Sequence, residues 1–232
     1  MAKDEVAEDD VTGGAPRPAL STERVLREAL RLADEEGLDA VSMRRLGREL
    51  GAGAMSLYHY VSSKDELLDG MVDLVFAEIE APSDESDWRT AMRRRSSSAR
   101  DVLLRHSWAV ALMESRTNPG LANLQHREAV TACLRRAGFS IEMTVHANWL
   151  LDSYVYGFVL EEASLPFDTA EELADMADDV YMPLLPPEQY PYLNEVAGAL
   201  LAGGYDHRAE FVFGLDVILD ALERLRESGE AP

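Results

Sequence analysis

SMRRLGRELGAGAMSLYHYVSSK, residues 42–64, holds two short helical patterns on either side of a glycine turn. The first runs from Ser42 to Leu50, with Leu46 and Leu50 one helical turn apart on the side to be buried. Gly51-Ala52-Gly53 interrupts it. Ala54 to Tyr60 then predicts a second helix that buries Leu57, with Val61 just beyond, and ends in Tyr58-His59-Tyr60. Two helices joined by so tight a turn outline a helix-turn-helix, whose second helix enters the DNA major groove. Charge supports the reading. Arg44, Arg45, Arg48 and Lys64 against Glu49 make this window +3 in a chain of formal charge −21, leaving −24 for the rest. An acidic chain that keeps a basic helix pair at such a turn is presenting it to phosphates.

Working outward, residues 1–20 are rich in Asp, Glu, Gly and Pro and read as a disordered tail, in which Arg17 is the one candidate for a minor-groove arm. Ser21 occupies an N-cap position. Val25, Leu26, Ala29, Leu30, Leu32 and Ala33 form one apolar stripe, and Gly37 closes that helix. Ser63 and Glu66 have capping-box spacing for a further helix from Lys64 to about Glu80, which Pro82 ends. The rest also reads as helical: Asp87 to about His106, a short segment from Trp108 to Met113, Pro119 to Gly138, a long apolar helix from Ser140 to about Ala163, an acidic helix near Ala170 to Tyr181, a small helix from Asn194 to Ala202, and Asp206 to about Glu227. The fold class expected is all-α, a small helix-turn-helix head on a larger helical body. At 232 residues there is chain enough for a real core, and no apolar run reaches the roughly 18 residues of a membrane helix. The acidic N-terminus lacks a signal peptide's pattern, and the single cysteine, Cys133, fits a reducing compartment; a cytoplasmic protein is expected.

Residues 21–228 resemble a known family. The run LGxxxxxLYHYVxxKxELL ending at Leu68 is similar to the DNA-binding head of TetR-family regulators. Ala137-Gly138-Phe139-Ser140, Gly157-Phe158-Val159-Leu160-Glu161 and Phe211-Val212-Phe213-Gly214-Leu215, with Ile218, Leu222 and Glu223, resemble the C-terminal domain of the tetracycline-repressor branch. The resemblance implies a DNA-binding domain over 21–68, its fourth helix continuing to about 80, and a ligand-binding and dimerisation body over 83–228.

It also implies roles by position. Met43 and Arg44 would meet DNA from the second helix, and Ala54, Met55, Ser56, Tyr58, His59 and Tyr60 from the third. Arg44 is the candidate base reader, because a guanidinium spans both major-groove acceptors of guanine. Tyr58 and Tyr60 suit phosphates, and Lys64 brings an ammonium and helix N-terminal amides to another. Trp108, Met113, Trp149, Ser153 and Tyr156 fall at pocket positions, with Asn123, Asp152, Arg105, His106 and His126 as candidate polar groups. Phe211, Leu215, Ile218, Leu219, Leu222 and Leu225 form a stripe wide enough for both the chain's own core and a homodimer seam, the long helix from Glu142 contributing. A core within one protomer is the other reading of that stripe.

One departure bears on the ligand. Tetracycline repressors hold a drug–magnesium chelate through histidines, and the matching positions here carry Glu80 and Met113. A thioether is a poor magnesium ligand, so a different, more apolar effector is expected, with no metal or cofactor. The basic run Arg89, Arg93, Arg94, Arg95, Arg100 and Arg105 invites a second DNA surface. Against it stand 19 acids and 3 arginines in residues 137–232, so pairing within the chain is the preferred reading.

Three function classes follow: a ligand-released repressor gripping a palindromic double-stranded operator, a DNA-binding interaction protein of the same fold without an effector, and an enzyme. The last is disfavoured. His59, His106, His126, His146 and His207 have no metal-site spacing, Cys133 has no partner motif, and no glycine-rich phosphate loop is present.

Overall fold

A computed structural model describes residues 19–83, 87–113, 115–116, 118–167, 169–203 and 206–229; the expected tail, with Arg17, lies outside them. The described elements are helical: α1 Thr22–Glu36, α2 Met43–Leu50, α3 Ala54–Leu57, α4 Lys64–Glu78, α5 Trp88–Arg105, α6 Val110–Met113, α7 Leu121–Arg136, α8 Ile141–Ser164, α9 Ala170–Met176, α10 Met182–Leu184, α11 Pro191–Gly203 and α12 His207–Ser228. Short 3-10 turns precede α2 and α6, and a π-helical turn, Ala177–Tyr181, joins α9 to α10. Among the described residues no helix is long and apolar enough to cross a membrane.

Local chemistry sets the helix starts. The hydroxyls of Ser21, Ser42, Ser63 and Ser140 accept the amide N–H groups of Arg24, Arg45, Glu66 and Met143, satisfying donors that a helix start leaves open. The capping box at Ser63 is only half as expected. Glu66 turns back one residue further, to the amide of Ser62 at 2.7 Å and to its hydroxyl. Gly51 ends α2 in the left-handed region, at φ 65°. The third helix is shorter than predicted, since the amides of His59 and Tyr60 take carbonyls three residues back, Ser56 and Leu57, and the chain winds out of the α-helix after Leu57.

Two cores result. Val25, Ala29 and Leu32 of α1, Leu46 and Leu50 of α2, Leu57, Val61, and Leu67 and Met71 of α4 close the head. The same α4 turns Val72, Val75 and Phe76, with Ile79 just after its end, into the body core, so one helix belongs to both. Trp108 and Leu112 also pack against both cores.

In the body, α5 packs against α7, α8 and α12. Four of its arginines are used internally, while Arg94 is exposed. Arg89 and Arg93 pair with Asp220 and Asp216 of α12, Arg95 with Asp152 of α8, and Arg100 with Glu162 of α8 through two nitrogens. The basic run is thus a helix–helix seam.

The expected dimer stripe needs correction on the same ground. Phe211, Leu215, Leu219 and Leu222 are enclosed in the protomer's own core, and Ile218 is half-buried against it, because α12 lays this face on α5 and α8. The outward face of α12 carries Phe213 and Val217, and that of α8 carries Val145, Trp149 and Leu150.

Candidate functional site

On the head, Arg44, Met55, Ser56, Tyr58, His59 and Lys64 are exposed, Met55 at 77%. Ala54 is half-buried. Met43 and Tyr60 are also half-buried and pack against the head core, and the Tyr60 carbonyl accepts the Thr22 hydroxyl at 3.2 Å. Tyr60 therefore supports the surface more than it projects from it. Arg45 is committed to Glu36 at 2.7 Å and Glu49 at 2.8 Å. Just before Lys64, the Ser62 amide is taken by Glu66, and the Lys64 side chain is exposed.

Head and body are also joined by polar contacts. Arg116, in the loop before α7, donates to Asp69 at 2.5 Å and to Asp65 at 3.1 Å, both on α4. One turn further along α4, Asp73 accepts the Asn123 amide of α7 at 2.9 Å. On the other side, Asp34 of α1 receives the Trp108 indole N–H at 2.7 Å and lies 2.8 Å from His106 Nδ1. Glu78 pairs with Arg105 at 2.6 Å and lies 3.4 Å from His106 Nε2. Burial raises the Glu78 pKa, but Arg105 and His106 more than offset this and hold it below the ordinary carboxylate range.

Inside the body, a cavity of about 200 Å³ opens between α4, α5, α7 and α8, lined in part by Phe76, Arg95, His126, Val130, Asn148, Asp152 and Tyr156. A larger concavity of about 500 Å³ beside Trp88, Glu223 and Arg226 is wider open and edged by charges paired with one another. The smaller one carries the unusual chemistry. Arg95 is 4% exposed; its Nε donates to His126 Nε2 at 3.1 Å and its Nη1 pairs with Asp152 at 2.6 Å. Burial first, then the charges of Arg95 and Arg127, push the His126 pKa down from 6.5 to about 3.

A stability prediction follows. The unfolded chain protonates His126 near pH 6.5 and the folded chain only near pH 3, so stability is full above about pH 6.5 and is lost as pH falls towards 3, by at most about 1.4 kcal/mol per pH unit from this group. Urea unfolding followed from pH 7.5 to 4.5 checks it, with His126→Gln expected to flatten the slope.

Of the residues expected in the pocket, Asp152 and Tyr156 line this cavity, and buried Asn123 sits one turn before His126. Trp149 and Ser153 are exposed on α8 and do not line it. Met113 is enclosed in the body core, and Trp108 is engaged at the head–body junction. Glu80 is exposed and its amide is held by the Ser98 hydroxyl. Arg95 and Asn148 were not singled out for this site. The spacing of Ala91, Met92 and Ala99 around Arg95 is the available signal, since it places an arginine on the apolar side of its helix.

Residues 25–71 match the family described as bacterial regulatory proteins, tetR family, and residues 81–226 match the tetracyclin repressor-like C-terminal domain. The HTH-type transcriptional repressor DrrR1 of Streptomyces coeruleorubidus is 34% identical over 220 residues, covering 90% of this chain and 80% of its own length. The class A tetracycline repressor from transposon 1721 of Escherichia coli is 30% identical over 210 residues, covering 89% and 92%. Among solved structures, ActR of Streptomyces coelicolor in complex with actinorhodin aligns at a TM-score of 0.74 and 33% identity, over 92% of this chain and 100% of that one. A TetR variant of Acinetobacter baumannii in complex with minocycline aligns at 0.71 and 27% identity, over 92% and 98%. With a helix-turn-helix head, a helical body and both family domains in order, the chain belongs to the TetR family of DNA-binding transcriptional repressors and is not an enzyme.

Proposed function

We propose that the chain is a homodimeric repressor that grips a palindromic operator and is released when a small, largely apolar effector fills the cavity at His126. The observation that carries this reading is the short path from that cavity to the head. His126 lies one turn after Asn123 on α7, and the Asn123 amide holds Asp73 on α4, the helix shared by both cores. A ligand that shifts the first turn of α7 pulls on α4 and changes how far apart two heads stand. It acts only to the extent that it binds the two states differently. A two-fold operator needs recognition helices roughly 34–36 Å apart. The outward apolar faces of α8 and α12, with Trp149 at 75% and Phe213 at 69% exposure, are the surface we assign to the partner protomer. Relatives of the same architecture are described in complex with actinorhodin and with minocycline, which supports an effector over the effector-free alternative.

The test is DNA binding at fixed salt, using duplexes selected from a random pool, followed by release with a compound panel. Arg44→Ala is expected to weaken binding by about 1–3 kcal/mol and to relax preference at one base pair. Lys64→Ala is expected to weaken all sequences alike and to lower the salt slope by about 1. Unchanged affinity in both variants overturns the DNA surface; a panel that releases nothing overturns the effector.

A further inference from the structure

Two side chains that line the cavity each hold a buried polar atom with no partner among the described residues, His126 Nδ1 and Asn148 Oδ1. His126 is 3% exposed, and its Nε2 accepts a hydrogen bond from Arg95 Nε at 3.1 Å. An arginine keeps all its protons, so Nε2 is the lone-pair nitrogen and the imidazole proton resides on Nδ1. Among the described residues that Nδ1–H has no acceptor. Its neighbours define what could supply one. The His126 ring lies 5.8 Å from the Phe76 ring at a tilt of 52°, and Tyr156 lines the same cavity.

Charge narrows the choice further. Asp152 is the one carboxylate in the lining and is spent on Arg95 at 2.6 Å, so a cation finds no free counter-charge and faces Arg95 and Arg127. A plain hydrocarbon fills the space but leaves the donor unmade, which costs binding.

We propose, resting on the reading of this cavity as the effector site, that His126 is the specificity-determining donor and that the effector presents a carbonyl oxygen that accepts the His126 Nδ1–H. The low pKa of His126, about 3, keeps the same nitrogen protonated and the ring neutral from pH 5 to 8, so recognition does not change over that range.

The experiment compares 9-fluorenone with fluorene on the full-length protein. The two share a three-ring skeleton and differ at the carbonyl. Calorimetric titration is expected to show fluorenone binding about tenfold or more tightly than fluorene. His126→Phe removes that difference while retaining fluorene. His126→Gln, which keeps an acceptor for Arg95 and a donor for the ligand, preserves it. Nitrogen-15 NMR of the wild-type imidazole is expected to find the proton on Nδ1 and to shift that resonance with fluorenone only.

Equal binding of the two probes, or a preference that survives in His126→Phe, overturns the donor role and leaves the cavity a ligand site. Absence of fluorenone from the cavity, while panel compounds still release the protein from DNA, overturns the carbonyl class but not the effector reading. If no compound releases DNA, the effector reading falls and takes this inference with it. Should His126→Phe fail to fold, the wild-type NMR decides, since a proton on Nε2 overturns the proposal.

Discussion

Gly47→Val is expected to disable the head, with operator affinity falling by at least about tenfold and the melting temperature dropping. An ideal Cβ at Gly47 would lie 2.8 Å from the Ala52 carbonyl oxygen and 3.1 Å from the Ala54 amide nitrogen. Both are backbone atoms of the turn between α2 and α3, so neither can swing aside as a side chain would. Relief requires the turn to open, which moves α3 away from α2 and misplaces Ser56, Tyr58 and His59 together. Overpacking of this kind costs about 1–3 kcal/mol before the lost hydrogen bonds are counted, including the one from the Ala52 amide to the Gly47 carbonyl at 2.8 Å. Gly53→Ala is the matched control, because its Cβ would meet only the Ser56 hydroxyl at 3.7 Å and its φ of −68° suits any residue. Circular dichroism melting and fluorescence anisotropy on selected duplexes measure both variants. Wild-type binding by Gly47→Val would show that the turn is not held by this close approach.

Arg95→Met is expected to be the most damaging change in the body, at about 3–5 kcal/mol. Arg95 is the hub of three helices: from α5 it pairs with Asp152 of α8 and donates to His126 of α7. Its removal leaves a mostly enclosed carboxylate without a counter-charge and the imidazole Nε2 without its donor. The penalty reflects that exposure of unpaired groups more than the strength of the pair itself. Adding Asp152→Leu to Arg95→Met should therefore recover much of the loss, with a coupling of about 0.5–3 kcal/mol between the two sites in urea unfolding. Additive losses would show that the pair does not act as a unit.

Much of the head was legible in the order of residues because its determinants are local. Ser21, Ser42 and Ser63 reach amides three residues on, and Gly51 needs a left-handed backbone that few other residues adopt. The shortness of α3 was not legible, since Ala54 to Tyr60 contains nothing that forbids a helix and the exit after Leu57 is a choice between two hydrogen-bond registers. In the body, periodicity placed Phe211, Leu215, Leu219 and Leu222 on one side of a helix and was right to do so. It had no means of saying whether that side faces the protomer's own core or a partner, because both bury apolar surface equally well. Trp149 and Tyr156 looked alike as pocket aromatics and lie two turns apart on nearly the same face of α8; the elements packed beside each level of the helix leave the first exposed and bring the second to the cavity.

By itself, then, the sequence determined helical content, helix starts, the position of the helix-turn-helix and the sign of its charge, all features set by interactions within a turn or two of the chain. Tertiary structure alone decided that the basic run of α5 pairs inward, that α4 belongs to two cores, and that Arg95, His126 and Asp152 meet in one cavity. Those residues lie 31 and 57 positions apart along the chain from Arg95. Only the packing of α5, α7 and α8 against one another brings them within hydrogen-bonding distance, and that packing follows from buried area summed over whole helices, not from any local pattern.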